Sequence, residues 1–184
     1  MTINDILNSY NPERDPSGYA GRRFEVTLRY VISKFMTGKG VVSKVKPQGV
    51  TDIIVKPGVA LESKSGAGYL MPAEHYTKEA AFEAFDTYMP MKRATHVAYC
   101  PKWTGNNLQD VYILPQRKFI RILADCGLLV ARKSSPRNGQ LYGVAIQTYT
   151  HQPRKEEKLI AMLQAEAETL QSFLIRMKTE KETA

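Results

Sequence analysis

The chain has 184 residues, of which 43% are hydrophobic and 24% charged, so a globular protein with a substantial core is expected. No stretch approaches the roughly 20 apolar residues of a membrane-spanning helix, and Asn4, Asp5 and Asn8 interrupt any signal-peptide core. A cytoplasmic protein without a membrane partner is therefore predicted, and its two cysteines, Cys100 and Cys126, are expected to be buried free thiols.

The distribution of charged residues along the chain indicates which kind of partner the protein can bind. The formal net charge is +8, from 26 basic and 18 acidic side chains. Six side chains of each sign lie in residues 153–184, so the basic excess lies in residues 1–152. Lysine and arginine gain affinity for polyanions by releasing counterions from phosphates, which is compatible with a nucleic-acid partner. Charge alone does not separate such proteins from other basic proteins.

The first half of the chain predicts two helices followed by a β-meander. Thr2 can cap a short helix over residues 2–9, and apolar residues recur at helical spacing from Ala20 to Phe35. Short segments rich in β-branched residues, separated by turn tripeptides, then predict three strands: residues 41–46, 50–55 and 59–64.

The second half predicts alternating helices and strands. The expected elements are a helix over residues 77–88, strands over 95–100 and 111–114, a helix between Pro115 and Gly127, a strand pair over 128–131 and 141–149, and a long last helix after Pro153. The pattern indicates an α/β fold with one domain over residues 1–152, whose core spans about 20–114, and an amphipathic C-terminal helix over 153–184.

That last predicted helix has an apolar stripe and balanced charges. The stripe consists of Leu159, Leu163, Leu170, Leu174 and Met177. Packing back on the domain is the default expectation. A homodimer interface is the alternative, and it would match the two-fold symmetry of a DNA duplex.

Three charged residues interrupt the predicted meander. Asp52 lies in an otherwise apolar strand, and Glu62 and Lys64 are two residues apart, so their side chains leave the same face of the next strand. Antiparallel pairing of these strands would bring Asp52 close to Glu62. Burying these charged side chains would be costly without a compensating ligand. Their carboxylate oxygens are hard ligands, which suit Mg²⁺.

Phosphodiester hydrolysis is the chemistry that uses such a set. A divalent cation lowers the pKa of a bound water and neutralises the charge that develops at phosphorus. A lysine beside it can position or deprotonate the attacking water, or stabilise the pentavalent phosphorus. The residues therefore predict a nuclease.

Asp52, followed after nine residues by Glu62-Ser63-Lys64, resembles the motif of the PD-(D/E)xK nuclease superfamily. The family's shared core is a helix, three antiparallel strands, a helix and a strand, which is the order predicted for residues 20–101. The resemblance implies a restriction-endonuclease-like core, extended at its C-terminal end by a helix, a β-hairpin and the long last helix.

The resemblance also implies residue roles. Asp52 and Glu62 would bind Mg²⁺ together with the Ser63 carbonyl, Mn²⁺ would substitute, and Lys64 would be the catalytic lysine. Glu25 matches a glutamate that many members carry on the first helix. The family's proline before the aspartate is replaced by Thr51 in this chain.

DNA is the expected partner, and six basic side chains are the candidate contacts. They are Lys44, Lys46, Arg117, Lys118, Arg121 and Lys133. Two other functions remain open: a Holliday-junction resolvase-like enzyme, and a DNA-binding accessory protein of the same fold without catalysis. A purely structural interpretation also remains, in which Asp52 caps a turn, Glu62 and Lys64 form a solvated strand face, and Glu25 is a helix-surface charge.

Overall fold

The computed structural model describes residues 2–9, 20–36, 41–42, 52–55, 58–87, 94–135 and 139–183. Its helices are α1 Ile3–Asn8, α2 Ala20–Phe35, α3 Lys78–Thr87, α4 Gln116–Asp125, α5 Pro153–Glu166 and α6 Leu170–Glu182. Its strands are β1 Val41–Val42, β2 Ile53–Val55, β3 Val59–Ser65, β4 Tyr69–His75, β5 His96–Cys100, β6 Tyr112–Pro115, β7 Leu129–Lys133, β8 Tyr142–Ile146 and β9 Glu168–Thr169. The predicted α/β class is confirmed.

The strands form two sheets. The larger has the order β1-β2-β3-β5-β6-β9, in which β3 and β5 are parallel and the other neighbours antiparallel. The smaller has the order β4-β8-β7 and is antiparallel throughout. Within the described ranges, no helix combines the length and apolar character needed to cross a bilayer.

The larger sheet separates two hydrophobic cores. Along β5, Ala98 and Cys100 belong to the core shared with α2, whereas Val97 and Tyr99 belong to the core shared with α4. This alternation follows from the two-residue period of a strand. We call the two faces of the sheet the α2 side and the α4 side.

The two N-terminal helices form where the sequence predicts them. In α1, the Thr2 hydroxyl accepts from the Asp5 N–H at 3.2 Å and the Asp5 carboxylate accepts from the Thr2 N–H at 2.6 Å, a reciprocal cap. In α2, Phe24, Leu28 and Ile32 of the apolar stripe are fully buried, and Phe35 at its end is partly buried. This burial positions the polar residues of α2 beside β3.

A strand that the sequence did not predict connects the meander to α3. Residues 69–75 form β4 and pair with β8, although no helix or strand was predicted for this segment. Pro72 weakens the strand signal, and the pairing is irregular between Met71 and His75, where a proline is tolerated. The strand exists because a distant segment supplies its hydrogen-bond partners.

The predicted long last helix is wrong, because the structure has two helices there. Ala167 is extended, β9 pairs with β6, and the Thr169 hydroxyl caps α6 by accepting from the Ser172 N–H at 3.2 Å. The apolar stripe is divided between both cores and is at most 1% exposed, with Leu159 and Leu163 on the α4 side and the others on the α2 side. The residues that suggested a homodimer are therefore buried within the chain.

Candidate active site

The pairing of β2 with β3 positions Asp52. The two strands are antiparallel, as the sequence predicts, with Ile53 opposite Leu61 and Val55 opposite Val59. Asp52 lies in a bend one residue before β2 and is therefore opposite Glu62 in the continued register. Ile53 and Leu61 are the last paired positions on this side of the described β2–β3 ladder.

The Asp52 carboxylate is bonded to the edge of β3 next to this ladder. Its Oδ2 accepts from the Ser63 N–H at 2.8 Å and from the Ser63 hydroxyl at 2.6 Å. The N–H and C=O of a residue leave the same edge of a strand, so the Ser63 carbonyl also faces this edge. A carboxylate and a backbone carbonyl thus lie at the edge of β3 where β2 begins.

Glu62 and Lys64 project from the α4 side of β3. Their parallel partners on β5 are Val97 and Tyr99, which face that side. The Lys64 ammonium lies 2.9 Å from the Glu62 carboxylate, and the side chains are 23% and 12% exposed. The shared face predicted for the two residues is confirmed, and the ion pair compensates the low exposure of Glu62.

Arg29 connects Glu25 to the backbone of Asp52, although no motif in the sequence pointed to Arg29. The Arg29 guanidinium forms an ion pair with Glu25, one turn earlier in α2, and lies 3.5 Å from the Asp52 carbonyl as a long donor contact. Its Nε is buried and has no hydrogen-bond partner in the described part of the chain. The signal that could have found Arg29 is its i, i+4 spacing from Glu25.

The donor set around Asp52 fits Mg²⁺ in chemistry. Carboxylates of Asp52 and Glu62 and the carbonyl of Ser63 are hard oxygen donors, and Mg²⁺ is commonly held by one or two carboxylates while keeping several waters. Among the described residues, no group of three or more His, Cys, Asp or Glu side chains is close enough to hold a metal ion. Glu25 therefore does not complete a three-carboxylate cluster with Asp52 and Glu62, and its role as a ligand stays a prediction.

An open groove of about 660 Å³ lies beside this part of β3. Glu62 and Lys64 line one part of it. Tyr69 and its neighbours in β4 line another, and Ser134 and Ser135, which follow β7, complete the lining. The groove is therefore built from both sheets. The part of its lining that belongs to β4 could not be predicted from the sequence, because the strand itself was not predicted.

Comparison of the chain with protein-family models, with curated proteins and with solved structures returned no match. The resemblance to PD-(D/E)xK nucleases therefore rests on the motif residues and on the order of the elements.

Two of the predicted DNA contacts on α4 are engaged within the chain. Lys118 Nζ lies 3.8 Å from the Glu166 carboxylate and 3.3 Å from its carbonyl, and Arg121 forms an ion pair with the same carboxylate. Arg117, on the same helix, is exposed. These contacts connect the last residue of α5 to α4, so Lys118 and Arg121 have a structural role.

The other predicted DNA contacts lie elsewhere. Lys133 is exposed at the end of β7, next to the serines of the groove. Lys44 and Lys46 lie outside the described residues. Contact of DNA with any of these side chains stays a prediction.

Proposed function

We propose that the chain is a metal-dependent nuclease that hydrolyses DNA phosphodiester bonds with a metal-activated water. The observation that carries the proposal is the register of β2 and β3, in which Asp52 is opposite Glu62 while Ser63 is bonded to Asp52 and Lys64 is paired with Glu62. The order α2, β1 to β3, α3 and β5 supports it, because the restriction-endonuclease-like core has these elements in this order, with β4 as an additional strand between β3 and α3.

In this proposal Asp52, Glu62 and the Ser63 carbonyl would hold Mg²⁺, or Mn²⁺ in its place. The cation would lower the pKa of a bound water and neutralise charge at the phosphate. Arg29 is a positioning residue, since it contacts the Asp52 backbone rather than the groove.

Lys64 is the group that would act directly on the substrate. Glu62 holds its ammonium at the groove, where a phosphate oxygen or the attacking water can accept a hydrogen bond from it. The charge on Lys64 would then oppose the negative charge that grows on the phosphate as the bond to the attacking oxygen forms.

One observation favours an accessory DNA-binding protein without catalysis. Each carboxylate of the candidate site already has a partner within the chain: Glu25 with Arg29, Asp52 with Ser63, and Glu62 with Lys64. Their burial is thus compensated without a cation.

Incubation of the purified chain with linear, circular, single-stranded and four-way-junction DNA, with Mg²⁺, Mn²⁺ or EDTA, separates these functions. The nuclease is expected to cut only with a divalent cation. Cleavage should fall by about 100-fold or more in Asp52→Asn and Lys64→Met, because each removes a group that acts on the transition state. A strong preference for the junction would identify a resolvase-like enzyme.

Matched variants test whether the charges matter only at this site. Asp86→Asn and Lys78→Met remove the same charges from exposed positions of α3 and should cut like the unmodified chain. Full cleavage by Asp52→Asn or Lys64→Met would refute the assignment. Salt-dependent binding without any cleavage would instead establish the accessory protein.

A further inference from the structure

Tyr69 is an exposed aromatic residue in the groove. It is the first residue of β4, its side chain lines the groove with Glu62 and Lys64, and it is 37% exposed. A tyrosine ring in this position is accessible to a ligand in the groove, and it combines an apolar body with a polar tip.

The ring of Tyr69 is held in place from two directions. Its hydroxyl donates to the Lys133 carbonyl at 3.1 Å, and the Arg132 guanidinium lies over the ring, 5.5 Å from its centroid. Arg132 is itself fixed, because it donates to the Ile146 carbonyl at 2.6 Å. The aromatic surface is therefore ordered before any ligand arrives, which reduces the entropy lost on binding.

Two cations accompany this ring: Arg132 lies over it, and Lys64 lines the same groove. A second basic and aromatic pair, Lys133 and Tyr142, lies on the opposite face of sheet β4-β8-β7, because Lys133 directly follows Arg132 in β7. Tyr69, Arg132 and Lys64 therefore give an aromatic ring flanked by cations. Proteins that bind single-stranded nucleic acid combine these two features, since aromatic rings stack on bases and cations follow the phosphates.

We infer that Tyr69 stacks on an unpaired base, so that the strand lying in the groove is single-stranded DNA or a single-stranded segment of a larger DNA. In a continuous duplex each base is covered on both faces by its neighbours, so only an unpaired base offers a face to the ring. The inference relies on the proposed nuclease for the fate of the strand, but not for its binding.

The charges lining the groove predict how cations affect this binding. Glu62 and Glu74 also line it, and their carboxylates repel phosphates unless a cation neutralises them. Binding of the single strand should therefore be tighter with Ca²⁺ than with EDTA.

Fluorescence anisotropy with a labelled single strand and with the duplex of the same sequence, in EDTA and in Ca²⁺, tests the inference. Tyr69→Ala is expected to weaken binding of the single strand by about tenfold and to leave duplex binding unchanged. Tyr69→Phe retains the ring and should retain single-strand binding. Tyr76→Ala is the matched control, because Tyr76 is 86% exposed and does not line the groove.

Three results would overturn the inference: unchanged single-strand binding by Tyr69→Ala, an equal loss for single strand and duplex, and no single-strand binding by the unmodified chain in either buffer. The outcome is separable from that of the proposed function. A selective effect of Tyr69→Ala without cleavage of any DNA supports the inference and refutes the nuclease. Cleavage of DNA by the unmodified chain supports the nuclease. If Tyr69→Ala then leaves the ratio of single-strand to duplex binding unchanged, the inference is refuted while the nuclease stands.

Discussion

The Asp52 carboxylate is bonded twice to Ser63, through the backbone N–H at 2.8 Å and through the hydroxyl at 2.6 Å. One oxygen, Oδ2, accepts both bonds. This arrangement orients the carboxylate at the edge of β3, and it depends on a residue that lies between Glu62 and Lys64 in the chain.

Ser63→Ala removes the hydroxyl donor and keeps the backbone donor. If Asp52 is a metal ligand, cleavage at limiting Mg²⁺ should fall by roughly 10-fold or more and recover at high Mg²⁺, because groups that orient a ligand typically contribute 10- to 100-fold to metal affinity or activity. The measurement is the cleavage rate as a function of Mg²⁺ concentration. Ser65→Ala, two residues further along β3, is the control, and identical Mg²⁺ curves for Ser63→Ala and the unmodified chain would contradict the prediction.

Gly143→Ala should destabilise the fold by about 2 kcal/mol or more. A Cβ at Gly143 would lie 2.5 Å from the Met71 carbonyl oxygen and 2.6 Å from that of Pro72, and backbone atoms cannot move aside cheaply. Gly68→Ala is the matched control, since no atom lies within 4 Å of its added Cβ, and it should be neutral or slightly stabilising. Urea denaturation of both variants measures the difference, and equal stabilities would show that the irregular pairing of β4 is not tightly constrained.

The two cysteines should be unreactive in the folded chain. Cys100 is fully buried and burial raises the pKa of its thiol to about 12, while Cys126 is 5% exposed and burial raises its pKa as well. Thiolates rather than thiols react with disulfide reagents, so both groups should react only after unfolding. Titration with a chromogenic disulfide reagent should give no rapid reaction natively and two thiols in denaturant. One fast native thiol would show that a core opens readily.

Stability should fall as the pH drops through the ordinary range of histidine. Burial lowers the pKa of His96 from 6.5, the charge of Arg176 lowers it further, and Glu168 partly opposes this. The unfolded chain therefore binds the proton more tightly than the folded chain, so His96 favours folding above about pH 6.5 and this advantage is lost as the pH falls towards the lowered value.

Free energies of unfolding at about pH 7.5 and about pH 5.5 test this sign. His96→Gln should flatten the dependence in that window, whereas His151→Gln, at an exposed position, should not. A second loss should follow in more acidic solution, because the hydrogen bond from Arg176 lowers the pKa of Glu168 from 4.5. An unchanged slope in His96→Gln would assign the histidine-range loss to other groups.

Local patterns predicted the elements that their own residues determine. The bounds of α2 follow from its apolar period, and the reciprocal cap of α1 follows from Thr2 and Asp5. The antiparallel pairing of β2 with β3 follows from two short β-branched segments joined by a turn, so the position of Asp52 beside β3 could be predicted as well.

Features that depend on distant partners could not be predicted. β4 pairs with β8, some 70 residues further along the chain, and Gly143 matters because it admits the backbone of that strand. The break between α5 and α6 requires β6 as the partner of β9, since the apolar period continues across it. Arg29 and Tyr69 acquire their positions only when α2 packs on β3 and when β4 joins its sheet.

The sequence by itself determined the α/β class, the basic excess in residues 1–152, helices α1 and α2, and strands β2 and β3. It also singled out the candidate residues Asp52, Glu62 and Lys64. Periodicity and local turns are short-range properties, so the residues of each segment were enough to predict them. Only the tertiary structure decided that Asp52 is bonded to Ser63, that the C-terminal stripe is buried in two cores, and that a groove joins the two sheets. Those features arise from contacts between residues far apart in the chain, whose free energy of burial and hydrogen bonding has no local signature.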